Sequence, residues 1–305
     1  MSAPSSEVLD PAAPGAELFV PEARGARPGV AGPPRSGGWP EVGDTAAPPG
    51  THGGPRPRTI TSARGAVRRA RTAHGGVVGV VGARGGAGAS TFAAALAHRL
   101  ARRGSAALVD LERTGGGLDV LVGLESADGL RWPDLAGARG EVAGAELVAL
   151  LPGWGGCTVL SADRARPGPP PAAAVADVLG ALASHVDHVV LDLDRADVTE
   201  RSGVLALCGL VLVVVPRDLR GVAGALALRP ALVEAVEDVR LVVRGPAPGG
   251  LSALELAHVV DLPLGASMAA DRAVAAACER GGGPAGPGLR RGPLLRAVAR
   301  LAEDL

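Results

Sequence analysis

The chain has 305 residues and a formal net charge of zero, with 31 Arg against 31 acids and no Lys, Asn, Gln or Tyr. Balanced charge gives no overall field to draw the molecule to nucleic acid or membrane. A hydrophobic content of 47% supports a sizeable core and excludes a wholly disordered or fibrous chain.

No apolar run approaches the ~18 residues that a bilayer span needs. No signal peptide opens the sequence. Cys157, Cys208 and Cys278 have neither metal nor disulfide spacing. They read as small buried apolar residues, and the chain as cytoplasmic.

Residues 1–74 hold 11 Gly and 12 Pro without helical or strand period, which predicts a disordered arm. Its last third carries Arg56, Arg58, Arg64, Arg68, Arg69 and Arg71 and no acid. One reading is a solvated linker. The other is an anchor for phosphates of nucleic acid or anionic lipid at the inner face of a membrane. No aromatic residue interleaves these arginines, so bases have no stacking platform.

Residues 75–305 read as one α/β domain. The β-branched run 77–81 predicts a buried parallel strand. A Gly-rich turn follows, then a helix over 90–103 with Phe92, Leu96 and Leu100 at helical spacing. Further strands are predicted at 106–111, 188–193, 210–215 and 239–243. Helices are predicted at 172–184, at 222–236 with an interruption at Pro230, at 251–260 and at 294–305. Strands alternating with helices imply a mostly parallel sheet covered on both faces, a three-layer domain. Trp132 and Trp154 read as core or as partner contacts. The scattered histidines pair with no nucleophile.

The best chemical signal is the turn Gly82-Ala83-Arg84-Gly85-Gly86-Ala87-Gly88-Ala89-Ser90-Thr91. A strand, a glycine-rich loop and a helix N-terminus make a phosphate cradle, because backbone N–H groups converge and the helix end adds positive charge. Plain close packing is the competing reading. Asp110 and Asp192, each at the end of a strand, are placed for Mg²⁺ or water.

This loop resembles the deviant phosphate-loop motif of the MinD/ParA superfamily. Gly85, Gly86, Gly88, Ser90 and Thr91 fall on its glycines and hydroxyls; Arg84 stands at its signature lysine and Ala89 at its phosphate-gripping lysine. Leu108-Val109-Asp110-Leu111-Glu112 resembles the family's V-D-x-D segment, and Val189-Val190-Leu191-Asp192 its second acidic strand. Arg244 falls where relatives end a strand on an adenine-reading Asn. The lysine-less loop and residues 129–135 are similar to the CpaE/TadZ-like group, closest to the actinobacterial septum site-determining proteins.

The resemblance implies a P-loop domain that binds ATP and Mg²⁺. Arg84, Gly85, Gly86, Ala87, Gly88, Ala89, Ser90, Thr91 and Arg244 would contact the nucleotide. Ser90, Asp110 and Asp192 would hold the metal, and Asp110 and Glu112 would serve hydrolysis. Glu112 is one methylene longer than the Asp of relatives, and Ala89 brings no charge, so the expected ATPase activity is weak or absent. Arg84 stands where relatives reach a partner's phosphates, which implies a homodimer. The implied role is a positioning or regulatory factor for septum formation or pilus and secretion assembly, with proteins of that machinery as partners. Two alternatives stand beside it: a nucleotide-free scaffold, and an active DNA-segregating ATPase that uses the arginines of the arm.

Overall fold

The computed structural model describes residues 76–113, 115–138, 142–286, 289 and 291–305. The expected arm and its six arginines lie outside them. Eight strands form one sheet in the order β3-β4-β2-β5-β1-β6-β7-β8. They are β1 (Val77–Gly82), β2 (Ala106–Asp110), β3 (Gly153–Trp154), β4 (Cys157–Leu160), β5 (His188–Asp192), β6 (Leu210–Pro216), β7 (Val239–Arg244) and β8 (Leu264–Met268). All neighbours are parallel except β3 and β4. The expected α/β three-layer, P-loop-like architecture is the one observed.

The helices are α1 (Ala89–Leu100), α2 (Leu118–Val122), α3 (Gly144–Leu150), α4 (Ala172–His185), α5 (Arg195–Thr199), α6 (Leu219–Ala235), α7 (Ala253–Val260), α8 (Arg272–Cys278) and α9 (Pro293–Leu301). Side chains alternate across β1: Val77 and Val81 join one core, Val78 and Val80 the other. The first core contains Val178 and Leu182 of α4, Leu228 and Leu232 of α6 and Leu256 of α7. The second contains Phe92 and Leu96 of α1, Val274 of α8 and Leu294, Val298 and Leu301 of α9. Burial on both faces is why the central strands read as unbroken apolar runs.

Trp132 is buried and Trp154 half-buried against the second core. Cys157 and Cys208 are buried, and burial pushes both thiols up to about 12. Two expectations need correction. Helix α6 starts three residues earlier than predicted and runs through Pro230 without a break. The carbonyl that loses its donor there belongs to Leu226, an exposed residue. The last helix ends at Leu301, four residues before the predicted end.

Candidate functional site

The C-terminal ends of the parallel strands share one edge of the sheet, and the glycine-rich loop leaves β1 at that edge. Ala83 N–H is held by Val214 O at 3.0 Å, and Ala87 N–H by Arg84 O at 3.2 Å. Gly85 and Gly86 are exposed at the crown of the loop. Gly88 precedes α1 with φ 93°, a left-handed conformation open to glycine, and no side chain caps the helix. The N–H groups of the first turn are therefore not spent on a side-chain acceptor, as an anion cradle requires. From the other side α6 presses close: a Cβ on Gly224 would lie 1.9 Å from Ala83 O.

Ser90 and Thr91 lie half-buried in the first turn of α1. The Ser90 hydroxyl stands beside the Asp192 carboxyl and favours its charged form. Asp110 and Asp192 stand opposite one another in the β2–β5 register, both buried. Asp110 accepts hydrogen bonds from Leu118 N–H at 2.8 Å and Glu112 N–H at 3.1 Å, so it also shapes the loop after β2. Burial is the main cause that pushes Asp110 up to about 6 and Asp192 to about 8; for Asp192 the Asp110 charge adds to it. The Glu112 charge contributes to both, which places this acid with the pair.

Among the described residues no group of three His, Cys, Asp or Glu side chains is arranged to hold a metal. Two carboxylates and a hydroxyl nevertheless suit Mg²⁺, which keeps several waters and takes phosphate oxygens as ligands. A dication would also relieve the crowding of buried negative charge. The donor set fits.

The arginines depart from their expected places. Arg84 does not project free toward a second molecule: its Nη2 donates to Asp218 Oδ2 at 2.7 Å within the same chain. This guanidinium holds the Asp218 carboxyl below its ordinary range. Arg244 turns back onto the loop, where its Nη1 donates to Ala87 O at 3.0 Å. Ala89, at the expected lysine position, packs its methyl against the second core and brings no charge.

Sequence reasoning missed three side chains that organise the site. Asp218 caps α6 by accepting from Gly221 N–H at 2.7 Å; an Asp ahead of a helix is a readable cap signal. Arg113 ties the loop after β2 to α5, donating to Asp197 Oδ1 and Glu200 Oε2, each at 3.0 Å. Asp197 is thus buried and paired rather than a surface charge. Trp132 donates from Nε1 to Asp110 O at 2.5 Å, a contact that no local pattern announces.

No family model matches the chain. It is 44% identical over 226 residues to an uncharacterized protein recorded from two strains of Mycobacterium tuberculosis, covering 74% of this chain and 62% of that protein. The chain thus spans less than two thirds of the length of these relatives. Among solved structures it is similar to a ParA family ATPase from Chlorobium tepidum, with TM-score 0.64, 18% identity, and coverage of 75% of this chain and 98% of that one. It is similar to the septum site-determining protein MinD of Pyrococcus horikoshii complexed with Mg-ADP, with TM-score 0.59, 15% identity and coverage of 75% and 94%. It is also similar to the MinC:MinD cell division protein complex of Aquifex aeolicus, with TM-score 0.56, 15% identity and coverage of 75% and 95%. The chain therefore has the fold of the MinD and ParA-type ATPases.

Proposed function

We propose that this chain is a degenerate nucleotide-binding protein of the MinD/ParA superfamily, in its CpaE/TadZ-like group and nearest the actinobacterial septum site-determining proteins. Its role is to position or regulate septum formation or pilus and secretion assembly, with ATP hydrolysis weak or absent. The observation that carries this reading is the uncapped N-terminus of α1, set behind a glycine loop and beside the Ser90, Asp110 and Asp192 donor set. The MinD structure with Mg-ADP supports the choice of ligand.

In this reading the amides of residues 85–91 face the phosphates, and Ser90, Asp110 and Asp192 hold Mg²⁺, which neutralises phosphate charge when bound. Glu112, next to Asp110, orients water. Ala89 supplies no charge to the transferring phosphate, a loss on the order of 10²–10³ in rate. The protein works in the cytoplasm, at the inner face of the membrane when it joins its machinery. Its partners are a second copy and proteins of the septum or secretion apparatus; the MinC:MinD complex supports a protein partner in general.

A nucleotide-free scaffold is the second reading, and Ala89 is the observation that favours it. The DNA-segregating alternative depends on arginines outside the described residues.

Titration calorimetry of the full chain and Ala89→Lys with Mg-ATP decides between these. The expected outcome is binding by both, with Ala89→Lys turning over ATP about 100-fold faster. Binding by Ala89→Lys alone leaves the scaffold, and binding by neither overturns the nucleotide reading.

A further inference from the structure

Arg244 ends β7 in register with Pro216 of β6 and Met268 of β8. Its Nη1 lies 3.0 Å from Ala87 O and 3.1 Å from the place a Cβ on Gly88 would occupy. The guanidinium therefore rests on the loop backbone immediately before Ala89, and the bare Gly88 makes room for it.

No carboxylate among the described residues lies within ion-pair distance of Arg244. Asp218, the acid that pairs with a loop residue, is taken by Arg84 at 2.7 Å. Arg217 is next to Arg244, its N–H on Arg244 O at 2.9 Å. It too has no carboxylate partner among the described residues, and its Nε is buried without a hydrogen bond. The Arg217 guanidinium lies toward Gly245, with Nη2 3.1 Å from the place a Cβ there would occupy, so Arg244 alone brings a half-buried guanidinium without a carboxylate partner to the loop. A guanidinium offers donors only, in a fork that matches phosphate oxygens. An adenine edge needs an acceptor as well, which Arg lacks.

We infer that Arg244 is the phosphate-binding cation of this loop: it reaches in from β7 to supply the charge that Ala89 does not. The ligand class is then a nucleoside di- or triphosphate, held by its phosphates more than by its base. This rests on the nucleotide reading above.

The test is calorimetry of adenosine, ADP and Mg-ATP with the full chain and with Arg244→Ala. Arg244→Met, which keeps most of the stem without the charge, serves should the alanine variant not fold. The wild type is expected to bind more tightly as phosphates are added. The variant is expected to lose about 10- to 100-fold for ADP and Mg-ATP, the range of lost hydrogen bonds to a charged group, and at most about 3-fold for adenosine. Ala89→Lys placed in the variant is expected to restore about tenfold for Mg-ATP. An equal loss for all three ligands puts Arg244 on the base and overturns the inference, as does no loss. Absence of binding by the wild type overturns the nucleotide reading and this inference with it. Wild-type binding with an indifferent Arg244 overturns the inference alone.

Discussion

Asp110 and Asp192 are both buried at the same register position, yet their surroundings differ. Asp110 is offset by the Leu118 and Glu112 amides, whereas for Asp192 the Ser90 hydroxyl is the stabilising contact. Burial beside the Asp110 charge pushes the Asp192 carboxyl up to about 8, far above the ordinary carboxylate range near 3.8. The folded state then binds more protons than the unfolded state between these limits, so stability falls as pH rises through that window. Asp192→Asn is accordingly expected to raise the melting temperature of the ligand-free protein in chelator. The gain is small near pH 5, grows toward pH 8 and levels off above it, at about 2–4 °C per kcal/mol for a domain of this size. Melts followed by circular dichroism across that range check it. A gain independent of pH would assign the effect to something other than buried charge.

At the scale of elements, the strands that could be read are those covered on both faces. β1, β5 and β6 are runs of Val and Leu that the expectation places within one residue at each end. The edge of the sheet was less legible. β8 is Leu-Gly-Ala-Ser-Met, a poor strand by composition, and owes its conformation to pairing with β7. The short β3 and β4, absent from the expectation, pair across a two-residue turn at the other edge. In the site, the glycines and acids were legible because local spacing places them. The destinations of Arg84 and Arg244 were not, since their contacts span 134 and 157 residues of sequence. Proline at position 230 was a sound breaker signal overridden by packing: Leu228 and Leu232 on either side of it are anchored in the core. An interior proline still costs a helix about 3 kcal/mol relative to alanine in an exposed context. Pro230→Ala is therefore expected to stabilise the protein, by roughly 1–3 kcal/mol in denaturant unfolding. A destabilised variant would mean that the ring fills space the helix needs.

For the whole molecule, the decisive geometry is the shared edge where β1, β2, β5, β6 and β7 all end. The loop crown at Gly85 and Gly86 is exposed there, and so is Leu219, at 89%, next to Asp218. If two copies meet across this face over nucleotide, Arg84 has to exchange Asp218 for the partner's phosphates. That exchange is cheap: the Arg84 and Asp218 side chains are 34% and 33% exposed, and a pair so hydrated is worth about 0–1 kcal/mol. On the proposed dimer the ion pair would be a weak latch. Asp218 also caps α6, and an Asn there retains a side-chain oxygen for the Gly221 N–H. Asp218→Asn therefore releases Arg84 without uncapping the helix. In light scattering with saturating Mg-ATP, the wild type is expected to double in mass. Asp218→Asn should reach half-dimer at about 3- to 10-fold lower concentration, since two pairs per dimer at up to about 1 kcal/mol each are worth about a factor of 30 at most. Arg84→Ala should shift the other way. A mass independent of Mg-ATP refutes the dimer. Equal behaviour of the two variants would confine Arg84 to holding its own loop.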